Sequence, residues 1–268
     1  MCRAVFIYSK ERISNSVLEW IALVGYIKGN VDGFFYAGED GSVRTLSFNE
    51  YLSVIKKAKT RKALMHLRAA TNSTINHENI HGWLFKNYYC VHNGIVHTEE
   101  FEKHMCDSYN FFKNITEDWD GKDFEKLKKN IEKEFLGGWG VFMMLSKDLN
   151  TLILFNINKS VFVFELDDLS YVIASQEDVV KDRSVKVSKT KKIKKKLFVF
   201  EVEIEKEEES KQERKFEIID ELKIEEDMFY AIDLTNEKIV YEAELDVIEH
   251  YYDYDFEHYK GKRYYWYY

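Results

Sequence analysis

Four short apolar segments follow one another in the middle of the chain, and their spacing most limits what the chain can fold into. They cover residues 139–145, 152–157, 161–166 and 171–174. Apolar runs of this length between polar turns are typical of buried β-strands. Helical periodicity is instead concentrated between residues 98 and 136. Strands grouped apart from helices favour an α+β fold, with layered sheets and helices outside them.

The first part of the chain adds further strands and helices. Strands are predicted at residues 4–8, 63–67 and 88–92, and a hairpin is predicted across residues 33–46. Asp40-Gly41 is a favourable turn for that hairpin. Ser14 is a helix-capping residue before an apolar-periodic stretch, and Ser47 with Glu50 has capping-box spacing before a second one.

The charge pattern changes sharply after the central strands. Residues 183–196 contain eight basic and no acidic residues, whereas residues 201–226 contain twelve acidic and five basic residues. We expect solvated faces or a long charged hairpin here, with partner docking as the alternative. The predicted organisation is a domain over residues 2–180, a charged segment with final strands packed on that domain over 181–250, and a tail over 251–268. The tail holds eight tyrosines, which suits an interface, a nucleic-acid stacking surface or disorder.

Composition narrows the class of protein. Hydrophobic residues make up 45% of the 268 residues, enough for a substantial core. The formal net charge of −8 makes general nucleic-acid binding unlikely as a function. No segment approaches the roughly 18 apolar residues of a membrane span, and the N-terminus lacks the basic start and apolar core of a secretory signal. We therefore expect a cytoplasmic protein, and the absence of proline is typical of an AT-rich, for example viral, coding sequence.

The cysteines are odd in number and widely spaced, at Cys2, Cys90 and Cys106. This pattern predicts neither a disulfide framework nor a zinc site, and no motif predicts a cofactor. Cys2 differs from the others because removal of Met1 would give it a free α-amine, whose pKa is near ~7.7–8.0. One residue could then supply both nucleophile and base. Taken alone, however, Cys2 is better explained as a small residue after Met1 that has no catalytic role.

Three later segments favour a catalytic role for Cys2. The chain has His-Leu-Arg-Ala-Ala-Thr at residues 66–71, Asn-Ile-His at 79–81 and Val-His-Asn-Gly-Ile at 91–95. In this order they resemble the class II glutamine amidotransferases, whose pattern is an initial Cys, then H-x-R-x-A-T, N-x-H-P and V-H-N-G-I. That family includes the glutaminase domain of glucosamine-6-phosphate synthase. The resemblance covers about residues 2–175 and is specific only within residues 66–95.

The resemblance implies both a fold and a reaction. The implied fold is the four-layer αββα sandwich of the N-terminal nucleophile hydrolases, here with a charged C-terminal extension. The implied reaction is hydrolysis of L-glutamine through a thioester at Cys2, with the Asn93 side chain and the Gly94 N–H stabilising the oxyanion. Arg68 would bind the α-carboxylate of glutamine, and Asp107 its α-ammonium. The other implied substrate-binding residues are Thr71, His81 and His92.

The sequence also departs from the family pattern. Arg3 stands where a glycine usually follows the nucleophile, Gly82 replaces the proline of the His-Pro pair, and Tyr109 replaces an acidic residue. Asp107 is also a common helix cap, and Arg68 a common surface charge. Two alternatives therefore stay open. One is an N-terminal nucleophile amidohydrolase acting on another amide, and the other is a non-catalytic binding or regulatory protein that keeps the fold.

The C-terminal third of the chain leads us to expect that the synthase is a separate protein. Members of the family pass ammonia to a synthase centre, and no recognisable synthase domain fits in the residues beyond about 180. We therefore expect a separate synthase protein to receive the ammonia.

Overall fold

The computed structural model describes residues 1–71, 73–99, 102, 104–197 and 200–247. The strands are β1 (Arg3–Ser9), β2 (Phe34–Gly38), β3 (Gly41–Thr45), β4 (Lys62–Leu67), β5 (Trp83–Phe85), β6 (Tyr88–His97), β7 (Gly137–Ser146), β8 (Thr151–Ile157), β9 (Val161–Leu166), β10 (Ser170–Ala174), β11 (Ser184–Leu197), β12 (Phe200–Glu213), β13 (Ile218–Ile224), β14 (Met228–Asp233) and β15 (Lys238–Glu244). The helices are α1 (Asn15–Ile27), α2 (Phe48–Ile55), α3 (Asp107–Thr116), α4 (Phe124–Glu134) and α5 (Asp178–Lys181). This mixture confirms the predicted α+β class.

Two antiparallel sheets organise the described residues. The first has seven strands in the order β13-β9-β10-β1-β4-β2-β3, and the second has six in the order β15-β14-β8-β7-β6-β5. Strand β1 is central in the first sheet, with Arg3 opposite Leu67 of β4 and Val5 opposite Ala174 of β10. The start of β1 therefore lies beside the ends of β4 and β10, which brings residues 2, 68 and 175 to one edge.

Three hydrophobic cores hold these elements together. One joins α1 and α2 to the outer face of the first sheet, a second lies between the two sheets, and a third joins the second sheet to α3 and α4. Alternation along β1 shows the arrangement, because Val5 packs in the first core and Phe6 in the second. Burying a side chain of this size stabilises a fold by about 1.5–3 kcal/mol.

The structure contains the predicted helix caps and hairpin turn, with two differences in detail. Ser14 caps α1 by accepting from Ser16 N–H, and Ser47 caps α2 by accepting from Glu50 N–H. The Glu50 carboxylate binds the Thr45 hydroxyl at 2.5 Å, so only half of a capping box forms. The hairpin turn is Glu39-Asp40, one residue earlier than predicted, because β2 and β3 already pair at Gly38 and Gly41.

The larger correction concerns the strand predicted to end at His92. Strand β6 continues to His97, so Asn93 and Gly94 lie in mid-strand, opposite Val141 and Gly140 of β7. A Cβ atom built on Gly94 would lie 2.0 Å from the Trp139 carbonyl oxygen. Glycine is required at position 94 because the neighbouring strand approaches closely, and not because the chain turns.

The C-terminal segments extend both sheets. Strand β13 pairs with β9 at one edge of the first sheet, while β14 pairs with β8 and β15 with β14 in the second. The basic segment and the first half of the acidic segment form β11 and β12, a two-stranded sheet in which Lys189 is opposite Glu208 and Lys192 opposite Glu205. The second half of the acidic segment includes β13. The predicted tyrosine-rich tail at 251–268 lies outside the described residues. Within the described ranges, no helix has the length and apolar character needed to cross a bilayer.

Candidate active site

A cavity opens where the start of β1 meets the end of β4 and the middle of β6. Of the eight predicted site residues, the cavity wall includes Cys2, Arg68, Thr71, His81, Asn93, Gly94 and Asp107. Only His92 is absent from that wall. The fold therefore brings together residues that are separated by up to about a hundred positions in the sequence.

The Cys2 thiol is held by the backbone just beyond β4. The Ala69 N–H lies 3.4 Å from Cys2 Sγ, and Sγ lies 3.5 Å from the Ala69 carbonyl oxygen. Burial raises the pKa of this thiol, while the Ala69 N–H and the charges of the N-terminus and Arg68 lower it. The net direction is upward, so ionisation of Cys2 requires a base.

The other two thiols are buried and hold their protons tightly. Burial raises the pKa of Cys90 well above its ordinary value, and raises the pKa of Cys106 to about 12. Cys106 also lines the cavity, but a thiol with so high a pKa is a poor nucleophile near neutral pH.

Arg68 is a buried cation that lines the cavity with only 2% of its surface exposed. Its guanidinium donates to Ser73 Oγ at 2.6 Å, and to the carbonyl oxygens of Asp32 and Thr74 at 3.4 Å. No carboxylate forms an ion pair with Arg68 in the described part of the chain. A buried guanidinium with only neutral partners is well suited to a carboxylate ligand.

Asp107 supplies the opposite charge in the cavity wall. It is the first residue of α3 rather than its cap, since Cys106 occupies the N-cap position without a side-chain hydrogen bond. The Asp107 carboxylate accepts from Ser108 N–H at 2.7 Å and from Val96 N–H at 3.3 Å. Burial raises the pKa of Asp107, and these backbone donors lower it. Strand β6 and helix α3 thus fix the carboxylate together.

The segment after Arg68 is anchored by Asp32. The Ala70 N–H donates to Asp32 Oδ2 at 2.7 Å, while Asp32 N–H donates to the Arg68 carbonyl oxygen at 3.1 Å. Thr71 follows at the cavity wall with an exposed side chain. Nothing in the sequence singles out Asp32, because an aspartate before a glycine is typical of any turn.

Asn93 is fully buried, and its side-chain amide is bonded to Ser175. Its Nδ2 donates to Ser175 Oγ at 2.8 Å, and Ser175 Oγ also accepts from Ala4 N–H at 2.9 Å. The Asn93 Oδ1 atom has no partner among the described residues. The amide of Asn93 is therefore tied to the strand that carries Cys2.

Three histidines form a buried stack behind the cavity, and His81 is the one of the three that reaches the cavity wall. The His66 and His81 rings are 4.0 Å apart, and the His81 and His92 rings 6.4 Å. His66 Nε2 lies 3.0 Å from the His92 carbonyl oxygen, and His92 N–H donates to His81 Nδ1 at 3.1 Å. Burial lowers the pKa of His66 to about 3 and lowers those of the other two well below 6.5. The three rings are therefore neutral at neutral pH, and His92 belongs to the wall behind the cavity.

Arg3 and Gly82, which depart from the family pattern, both lie outside the cavity wall. The Arg3 guanidinium binds the Asp178 carboxylate, with contacts of 2.5 and 3.2 Å, and also binds Asn30 Oδ1. Arg3 is not part of the cavity wall. Gly82 has φ +91°, which a proline in its place could not adopt.

Lys159 is a charged neighbour of the site that the sequence did not suggest. Its Nζ atom lies 4.6 Å from the ring centre of Trp139, a cavity residue, and 4.0 Å from Met1 Sδ. Burial lowers the pKa of Lys159 to about 8, Cys2 raises it and Arg3 lowers it. No ion-pair partner for Lys159 occurs in the described ranges. A lysine in a turn between two strands carries no sequence signal of this kind.

Comparison with known proteins identifies the fold. No protein-family model matches the sequence, and no curated protein matches it significantly. The glutamine phosphoribosylpyrophosphate (PRPP) amidotransferase from B. subtilis, complexed with ADP and GMP, aligns with a TM-score of 0.59 and 13% identity. The allosteric regulatory enzyme of purine biosynthesis aligns with a TM-score of 0.56 and 12% identity. Each alignment covers 92% of this chain and 50% of the solved chain, so the chain spans about half their length. The chain therefore shares the fold of the part of these enzymes with which it aligns.

Proposed function

We propose that this protein is a glutamine amidotransferase of class II, which hydrolyses L-glutamine to glutamate and ammonia with Cys2 as the nucleophile. The observation that carries the proposal is the pair of opposite charges, buried Arg68 and half-buried Asp107, in the wall of the cavity that holds the Cys2 thiol. The two do not pair with each other, and each is fixed by neutral donors or acceptors. Together they suit the carboxylate and ammonium of a free amino acid.

The fold supports the proposal without specifying the substrate. The three stacked cores agree with a four-layer αββα sandwich. The solved amidotransferase that aligns with this chain uses glutamine, according to its name. The closer likeness to the glutaminase domain of glucosamine-6-phosphate synthase stays a prediction.

The proposed mechanism begins with removal of Met1. The free Cys2 amine accepts the thiol proton, directly or through a water, and the thiolate attacks the side-chain carbonyl carbon of glutamine. The Asn93 amide and the Gly94 N–H stabilise the tetrahedral oxyanion, and the protonated amine returns its proton to the leaving ammonia. Water then hydrolyses the glutamyl thioester, which releases glutamate and restores the thiol. Thr71 and His81 line the route along which glutamine binds.

A base is required because burial raises the pKa of the Cys2 thiol. The neutral histidines do not serve as that base, because their pKa values lie far below neutral pH. An α-amine with a pKa near ~7.7–8.0 is well matched to neutral conditions. The released ammonia would pass to a separate synthase protein.

The test is release of glutamate from L-glutamine by purified protein whose N-terminal residue has been identified by mass spectrometry. Cys2→Ala is expected to fall to the uncatalysed background because it removes the nucleophile. Cys90→Ala is the matched control, since Cys90 is a buried thiol outside the cavity wall. N-acetyl-L-glutamine, which lacks the ammonium, is expected to be a poor substrate. Equal background rates for the wild type and Cys2→Ala, with candidate synthases present, would contradict the proposal.

A second candidate, a non-catalytic binding protein with this fold, is favoured by the contacts of Met1. The Met1 carbonyl oxygen accepts from Asn30 Nδ2 at 2.7 Å, and Met1 Sδ lies 3.7 Å from Gln176 Nε2. These contacts would favour a chain that keeps Met1. Intact-mass measurement separates the two candidates, because retained Met1 blocks the α-amine that the enzyme needs.

A further inference from the structure

The hydroxyl of Ser175 connects the strand of the nucleophile to the amide of Asn93. Ser175 is fully buried just after β10, and its Oγ accepts from Ala4 N–H at 2.9 Å and from Asn93 Nδ2 at 2.8 Å. Its backbone N–H donates to the Ala4 carbonyl oxygen at 3.0 Å. Ser175 is not part of the cavity wall, whereas Asn93 is. Ser175 can therefore act on substrate only through its neighbours.

The hydrogen bonds of this group are incomplete as they stand. A serine hydroxyl accepts two hydrogen bonds and donates one, and a side-chain amide has one acceptor oxygen and two donor hydrogens. Here both acceptor positions of Ser175 Oγ are used, its own hydrogen has no acceptor in the described residues, and the buried Asn93 Oδ1 has no donor. A buried carbonyl oxygen without a donor destabilises the arrangement in which it lies.

Rotation of the Asn93 amide by half a turn corrects both deficits. Ser175 O–H then donates to Asn93 Oδ1, while Ser175 Oγ still accepts from Ala4 N–H. The Asn93 Nδ2 group moves to the place of Oδ1 and needs an acceptor. An oxyanion in the cavity would supply that acceptor, so the rotated amide satisfies every group only when the negative charge is present.

We infer that Ser175 is a positioning residue that holds the Asn93 amide with its N–H donors toward the developing oxyanion. The inference rests on the proposed function. Because Ser175 binds Ala4 with the same hydroxyl, it also fixes the distance between the oxyanion donor and a backbone position two residues from Cys2. The positioning would favour the transition state more than bound glutamine.

The test compares Ser175→Ala with Ser170→Ala. Ser170 is a buried serine at the start of β10 whose hydroxyl has no partner in the described residues, so its removal is a matched control. We expect Ser175→Ala to lower kcat for glutamine about tenfold to a hundredfold, since loss of an oxyanion donor costs about 10²–10³ in kcat and misorientation costs less. KM is expected to change less than about threefold. The rate of Cys2 alkylation by iodoacetamide is expected to stay within about twofold of the wild type, because the thiol keeps its own contacts.

A double-mutant cycle makes the assignment specific. If Ser175 acts through Asn93, adding Ser175→Ala to Asn93→Ala should lower kcat less than about threefold further. Additive losses would overturn the inference, and so would an equal fall in kcat and in Cys2 alkylation for Ser175→Ala, which would indicate displacement of β1. Equal kcat values for Ser175→Ala and Ser170→Ala in an active protein would also overturn it. A wild type no faster than Cys2→Ala would instead contradict the proposed function, and this inference with it.

Folding of the variants is checked by thermal melting. Should Ser175→Ala not fold, Ser175→Cys replaces it and is compared with Ser170→Cys, because a thiol is close to a hydroxyl in size but a weak donor. A lower kcat at position 175 than at position 170 supports the inference, and equal values overturn it.

Discussion

The cavity and the histidine stack behind it come from the same stretch of chain but treat buried polar groups in opposite ways. His66 lies in β4 and Arg68 directly follows that strand, and both are buried. The histidine becomes neutral, because burial lowers its pKa to about 3. Arg68 instead places a guanidinium cation in the cavity wall. One motif therefore contributes both a neutral, buried histidine and a charged residue of the cavity wall.

The comparison suggests how stability and function are divided. The histidine rings stack on one another and bind backbone groups, so they hold β4, β6 and the loop between them together. Arg68 and Asp107 instead keep charges ready for a ligand, which stabilises the free protein little. Changes in the stack should affect unfolding, and changes in the cavity should affect turnover. Unfolding and kinetic measurements on single variants test this division.

The largest change should be a loss of stability in mild acid. In the unfolded chain each histidine has an ordinary pKa near ~6.5, but in the fold the pKa values of His66, His81 and His92 are lower. The unfolded state therefore binds more protons below about pH 6.5, so full stability above that pH is lost as the pH falls toward the folded pKa values. Between pH 7.5 and 5.5 the three histidines together should cost about 4 kcal/mol of stability. Denaturant unfolding at pH 7.5 and 5.5 measures the loss.

Single substitutions show whether the stack causes this pH dependence. His66→Gln should reduce the loss between pH 7.5 and 5.5 by about a third, because one of three titrating groups is removed. His104→Gln is the control, since the His104 side chain is 66% exposed. Equal stability of the wild type at the two pH values would show that the three rings are not held neutral.

The next effect separates binding from stability at Arg68. Arg68→Met should lower kcat/KM for glutamine about tenfold to 150-fold, because a hydrogen bond to a charged group contributes about 1.5–3 kcal/mol. The unfolding free energy should change less than this, because the acceptors of the guanidinium, on Asp32, Ser73 and Thr74, are not fully buried and can bond to water in the variant. Arg61→Met removes an exposed cation paired with Glu39, and its kinetics should match the wild type. A large loss of stability with unchanged kcat/KM would show that Arg68 stabilises the fold and does not bind glutamine.

Sequence patterns predicted most strands and helices here because their signals are local. The apolar runs at β1, β4 and β7–β10 and the caps Ser14 and Ser47 required no knowledge of distant residues. The extension of β6 through Asn93-Gly94 could not be predicted in this way. His-Asn-Gly favours a turn, and only the close approach of β7 at Trp139 and Gly140 explains why the strand continues.

The site shows the same limit. The motif indicated which residues meet at the cavity, because a family pattern contains that three-dimensional information. It did not separate His81, which lines the cavity, from His92, which lies behind it. It also did not suggest Asp32 or Lys159, whose positions depend on turns that meet only in the folded chain.

A weaker effect is expected at Lys159, which tests whether a cation outside the motif still acts on the cavity. The charged groups around Cys2 are the N-terminus, Arg68 and Asp107, and Lys159 and Arg3 lie on the side of Met1 and Trp139. Arg3 is paired with Asp178, whereas Lys159 has no ion-pair partner in the described ranges. Lys159→Met should raise the apparent pKa of the Cys2 thiol, because a nearby cation favours the thiolate, and slow its alkylation at pH 7 about threefold to tenfold. The difference should shrink above pH 8, because the pKa of Lys159 is about 8 and its charge is lost there.

Lys159→Arg should keep the wild-type rate at pH 7, and Lys122→Met, which removes an exposed cation outside this cavity wall, should not change the profile. Identical pH profiles of alkylation for the wild type and Lys159→Met would show that Lys159 does not affect the Cys2 thiol. Only the motif residues and the N-terminus would then act on it.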